Sequence, residues 1–126
     1  MINETMNHDE YVRAIRRQVA ATARAMLAHE IDFLLGARKL AALHRGANVA
    51  DDDADFLAFT GIDAQTDDLP LGDERQQVDE QTLAKLQPDI EAAEEWAWDF
   101  GKKACLALIE RFAENESGTV TQQAII

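Results

Sequence analysis

Apolar residues recur at steps of three and four along most of this 126-residue chain. That is the spacing of amphipathic helices, and the alternation that marks half-buried strands is missing. A first helix is predicted from Asn7, where Asn7 and Glu10 have capping-box spacing and Met6 and Tyr11 stand at staple positions. Val12, Ile15, Val19, Ala23 and Met26 form its buried face, with Arg13, Arg16, Arg17 and Arg24 off that face. Residues 28–30 hold no glycine, so a bend is expected there and not a stop. Asp32 is the expected N-cap of a second helix bearing Leu34, Leu35, Leu40, Ala41 and Leu43, with Gly46 as its terminator. Gly36 inside that helix costs about 1 kcal/mol relative to alanine, which predicts close packing at that point.

The middle of the chain, DADFLAFTGIDAQTDDLPLGDER from Asp53 to Arg75, breaks the pattern. Asp51, Asp52 and Asp53 supply a cap and favourable charge for a short helix with Phe56, Leu57 and Phe59 on its apolar side. Gly61 is read as its left-handed terminator, with Ile62 folding back onto Leu57. An irregular acidic loop follows, bent at Pro70 and pinned to the core by Leu69 and Leu71, and Asp73 is placed to cap the next turn. Asp79 then caps another short helix carrying Leu83 and Leu86. Pro88 stands at the first position of the last and longest helix. Its stripe is Ile90, Ala93, Ala97, Phe100, Ala104 and Leu108, broadened by Trp96, Trp98, Cys105, Ile109 and Phe112. The fold class expected is all-α: a compact bundle of about four main helices, with a short central helix and the acidic loop. Residues 1–114 form the domain and 115–126 a flexible tail.

The run Asp55-Phe56, Phe59, Gly61-Ile62, Thr66-Asp67, Leu69-Pro70, Gly72 and Arg75 resembles a pattern in small bacterial helical proteins, among them proteins carried on mobile gene cassettes. The similarity covers the middle and last thirds of the chain. Such proteins often have an aromatic residue where this chain has Val78. The resemblance implies a compact helical fold and brings no activity with it.

Charge sharpens the picture. The formal net charge is −12, and it is lopsided. Up to Gly46 there are seven Lys/Arg against five Asp/Glu; from Ala47 on there are five against nineteen. Most of such a surface repels nucleic acid and anionic membranes and favours a basic protein partner. No segment approaches the roughly 20 apolar residues of a membrane span, and the start of the chain does not read as a signal peptide, so a cytoplasmic protein is expected.

Candidate chemistry is sparse. None of His8, His29 and His44 follows a glutamate by three residues, and Cys105 has no partner at zinc-ligand spacing, so no metal or other cofactor is expected and the histidines are read as solvated. Asp63, Gln65, Asp67 and Glu74 mimic positions one, three, five and twelve of a calcium loop, but Asp68 stands where its glycine belongs. Ser117 is the only serine and lies in the tail, and a lone cysteine in a helix stripe reads as a small core residue. No catalytic residue is assigned. The candidate binding residues are Asp63, Asp67, Asp68, Glu74 and Arg75 of the loop and the acidic stripe Glu91, Glu95 and Asp99. The favoured expectation is a non-enzymatic interaction protein, homodimeric through its last helix, with an acidic face for a basic partner. The alternative is a small-molecule binder or hydrolase built on the loop and its Asp67/Asp68 pair.

Overall fold

The computed structural model describes residues 7–125, with side chains described as far as Asn115. It is all-α, with no strand among those residues. Helix α1 spans His8–Leu27, α2 Phe33–Leu43, α3 Ala54–Gln65 and α4 Glu80–Ile125, with 3-10 turns at Arg45–Ala47 and Gly72–Gln77. Among the described residues no helix is long and apolar enough to cross a membrane.

Helix α1 starts as its sequence predicts. The Asn7 carboxamide accepts the Glu10 N–H at 2.8 Å and Glu10 accepts the Asn7 N–H at 3.1 Å. The staple partner Met6 lies outside the described residues. Val12, Val19, Ala20, Ala23 and Met26 are buried, and Ile15 is partly covered. The end of α1 is a stop, where a bend was expected. His29 takes the left-handed conformation at φ 61°, its N–H bonds Met26 O at 3.2 Å, and the Glu30 N–H reaches back to Ala25 O at 2.8 Å. This is the Schellman ending, made without glycine. The imidazole of His29 stacks on Trp98 with centroids 4.8 Å apart, a contact that offsets the strain of a side chain at positive φ.

The turn brings α2 back along α1. Gly36 is buried, and a Cβ there would run into the Met26 side chain, so the close packing expected from the sequence is present. After α2 the terminating left-handed residue is Asn48 (φ 57°), not Gly46. Arg16 secures this segment by donating to Ala47 O at 2.9 Å and Asn48 O at 3.2 Å.

Asp53 caps α3 as expected, accepting from the N–H groups of Asp55 and Phe56. Gly61, however, lies inside α3, which runs on to Gln65. Phe56, Phe59 and Ile62 are therefore three successive core positions of one helix, and Leu57 is exposed instead of meeting Ile62. The loop glycine that does need the left-handed region is Gly72, at φ 56° beside Leu35. Leu71 is buried and Leu69 packs on the core, as predicted, and Pro70 between them is buried as well. Glu74, not Asp73, closes the following 3-10 turn by accepting the Leu71 N–H at 3.0 Å.

Asp79 starts a helix, accepting from the Thr82 N–H at 2.8 Å. That helix is not short: it continues through Pro88 as the 46-residue α4. Pro88 is exposed and lacks the N–H that a helix interior normally donates, yet the helix runs on past it. Residues 115–125, expected as tail, continue the helical backbone. The buried line of α4 runs Ile90, Ala97, Gly101, Ala104, Cys105, Leu108 and Phe112. It passes through Gly101 because Phe33 and Ile62 come within about van der Waals contact there, with a Cβ at that site only 3.0 Å from Ile62 Cδ1. Phe100, one residue earlier on the helix, is thereby turned outward and is 54% exposed. Pairings along the length (Arg16 over Phe112, His29 on Trp98) make α1 antiparallel to α4, and Phe56–Phe112 with Ile62 at Gly101 does the same for α3.

Candidate functional site

A cleft lies between the α1–α2 turn and the first half of α4. Its volume is about 460 Å³ and it is open to solvent. The floor is apolar: Ile31, Phe33, Ile90 and Trp98, with Phe33 and Trp98 edge to face at 5.5 Å. The rim carries Asp32, Glu91, Glu94 and Glu95, faced by Arg75 and His29.

Each rim group is placed by ordinary local structure. The Schellman ending reverses the chain at His29 and delivers Asp32 to the N-cap position of α2. Asp32 does not cap with its side chain, as the sequence suggested. Its carboxylate turns to Arg75 at 3.4 Å, and Arg75 is anchored by donating from Nε to Pro70 O at 3.3 Å. The capping is done across the fold by Glu94. Its Oε1 accepts the Phe33 N–H at 3.0 Å and its Oε2 the Leu34 N–H at 3.4 Å. Two orphan donors of α2 are thereby satisfied, and the negative charge sits at the positive end of the helix dipole. Burial nevertheless raises the Glu94 pKa, the charge of Asp32 raises it further, and the two N–H bonds and Arg75 only partly offset this. Glu91 and Glu95 are exposed one turn apart on α4, Glu91 accepting from Gln87 at 3.1 Å. Among the described residues no lysine or arginine pairs with Glu91, Glu94 or Glu95.

The other sequence candidates fall elsewhere. Asp63 is a helical residue of α3 that binds Arg38 Nε at 3.0 Å, and Glu74 binds Nη1 of the same arginine at 3.1 Å. Arg38 also donates to Thr66 O at 3.3 Å, so this trio ties α2, α3 and the second 3-10 turn together. The Leu71 N–H and then Arg38 hold the Glu74 carboxyl below its usual range. Asp67 and Asp68 are exposed on a second, more open hollow of about 450 Å³ beside Leu69, Pro70 and Val78. Asp99 is exposed and lines neither hollow. Arg75, Glu91 and Glu95 are thus brought together, and Asp63, Asp67, Asp68 and Asp99 are not among them. Glu94, beside the acidic stripe in sequence, was not singled out. The signal pointing to it is indirect: the first turn of α2 holds no acidic residue to complement its dipole.

Among the described residues, no group of three or more His, Cys, Asp or Glu side chains is arranged to hold a metal ion. The carboxylates of the cleft are spread around a rim and do not converge on a point. Cys105 is buried away from the cleft and its thiol is pushed up to about 12 by burial, which leaves it protonated and unreactive at neutral pH. His44, expected to be solvated, stacks on Phe56 at 4.6 Å and reaches Ala50 O at 3.0 Å. No family model, curated protein or solved structure matches the chain.

Proposed function

We propose that this chain is a non-enzymatic interaction protein whose acidic cleft receives a basic segment of a partner protein. One observation carries the reading: four carboxylates surround a single apolar-floored cleft against one arginine. Other arginines are committed within the fold, Arg38 to Asp63 and Glu74 and Arg111 to Asp53 and Asp55. Folding thus pairs carboxylates elsewhere with arginine, while among the described residues Glu91, Glu94 and Glu95 have no lysine or arginine in ion-pair contact. An apolar floor with a charged rim suits a lysine or arginine side chain, which lays an aliphatic stem on apolar surface and keeps its charged head among carboxylates. The surrounding negative field steers such a partner and raises its association rate.

The test is competition between two acidic surfaces for a nona-arginine peptide at physiological salt. Glu91→Lys with Glu95→Lys is expected to weaken binding tenfold or more, while Asp67→Lys with Asp68→Lys, an equal charge change, has a much smaller effect. Equal losses from both pairs would reduce the cleft to one part of a diffuse acidic surface. A larger loss from the loop pair would favour the loop-centred reading instead.

Self-association through α4 belongs to the same proposal. Trp96 and Phe100 stack at 5.5 Å on the outer side of α4 and are 40% and 54% exposed. Trp98, by contrast, is committed to His29 and Phe33 of its own chain. Sedimentation is expected to give a dimer that Trp96→Ala weakens. A monomer at high concentration would remove this part.

A further inference from the structure

We propose that Glu94 is the charge-bearing group of the cleft and that binding of a guanidinium or ammonium group there expels a proton from it. The inference rests on the cleft reading above and adds the residue and the regulation. Both oxygens of Glu94 accept N–H groups at the start of α2, so this rim carboxylate is fixed in place by the fold. A carboxylate offers about four acceptor sites, so the two backbone bonds leave lone pairs for a ligand in the cleft that Glu94 lines. Glu91 and Glu95 flank Glu94 on α4, Asp32 opposes it from the α1–α2 turn beside the titratable ring of His29, and Arg75 stands across from the second 3-10 turn. The balance is negative, and half-burial adds to the cost of its charge.

A cation on an apolar stem meets what this group lacks. It supplies the missing positive charge while its stem rests on Ile90 and Phe33. The ionised form of Glu94 is the one that binds, so below the titration of the empty site the proton leaves for solvent as the cation arrives. Reciprocity makes the two effects equal: the factor by which the cation favours ionisation is the factor by which ionisation favours the cation. Affinity therefore climbs with pH through the Glu94 titration, approaching tenfold per pH unit at the limit.

The experiment uses the full chain and the blocked tripeptide Gly-Arg-Gly, with its citrulline counterpart as the neutral control. Binding is followed by NMR from below the ordinary glutamate value of 4.5 up to neutral pH, together with the carboxyl carbon of Glu94. The arginine peptide is expected to shift cleft resonances, to bind more tightly as pH rises, and to move the Glu94 titration to lower pH. Citrulline should do none of these, and Glu94→Gln should flatten the pH profile. Cleft binding whose pH profile persists in Glu94→Gln, or that leaves the Glu94 titration unmoved, would overturn the coupling and leave the cleft reading standing. Absence of any arginine-specific shift at the cleft would overturn both.

Discussion

Glycines 36 and 61 both sit inside helices, and a single methyl group separates their roles. At Gly36 a Cβ collides with Met26, which is itself fully buried and would have to shift within the packed core. Gly36→Ala should therefore lower stability by about 1–3 kcal/mol in denaturant titrations. At Gly61 nothing lies within 4 Å of an added Cβ, and the backbone is helical. Gly61→Ala should raise stability by about 0.4–1 kcal/mol, chiefly by restricting the unfolded chain. A loss there would place Gly61 at a helix end after all. Glu94 gives a third residue-level expectation. Its pKa is raised on folding, so the folded chain holds that proton more tightly than the unfolded one. The stabilising contribution is complete below the ordinary glutamate value of 4.5 and fades as pH rises through the raised value. Unfolding midpoints should fall over that window in the native chain and fall less in Glu94→Gln.

At the level of elements, the helices are joined by polar clamps that cross large sequence distances. Arg111 of α4 grips the start of α3, with Nη2 on Asp53 at 2.7 Å and Nη1 on Asp55 at 2.9 Å. Its guanidinium also lies 5.2 Å from the Phe112 ring centroid. Asp53 already caps α3 and is only 11% exposed, so the clamp and the cap share one carboxylate. The bond from Arg111, ahead of the backbone bonds from Phe56 and Asp55, holds the Asp53 pKa below its ordinary 3.8. This contribution is present above 3.8 and is lost as pH falls through the lowered value. Arg111→Ala should cost about 1–2 kcal/mol at neutral pH, as expected for charge-assisted bonds at a partly exposed site. The acid-induced loss of stability should be shallower in that variant, and an unchanged acid limb would remove Asp53 from the account. The helices themselves were legible from their three-and-four spacing. The clamps were not, because Asp53 and Arg111 are separated by 58 residues and only packing sets their distance.

For the whole molecule the deciding quantity is a net charge of −12 on a small fold. The ion pairs found are few and partly exposed, each contributing about 0–1 kcal/mol and weakening with salt. Repulsion among the remaining carboxylates is screened by the same salt. Repulsion should win because unpaired carboxylates outnumber the pairs, so the melting temperature should rise from low to high sodium chloride. A clear fall would mean that the acidity is mainly structural and the cleft rim is not held in reserve for a partner.

The sequence by itself determined the helical class, the cap at Asn7, the buried face of α1, and the close approach at Gly36; of the face expected for α2 only Leu34 and Leu40 are buried, joined by Phe33 and Ala37. Each of these depends on residues within a few turns of one another, where propensity, capping and periodicity act directly. It also named Arg75 in the loop and Glu91 and Glu95 in the acidic stripe, two separate sets of binding candidates whose meeting in one cleft only the structure shows. Tertiary structure decided the rest. Gly61 could end a helix or continue one, and the burial of Phe56, Phe59 and Ile62 on one face chose continuation. Phe100 and Gly101 could each have faced inward, and the need of Phe33 and Ile62 for space chose the glycine. A histidine could take a left-handed turn because Trp98, 69 positions further along the numbering, gave its ring a stacking partner. Glu94 became the cap of α2 and one of the rim carboxylates of the cleft for the same reason. Local rules specify that a helix start needs an acceptor, and only the packing of α4 against α2 determines which side chain provides it.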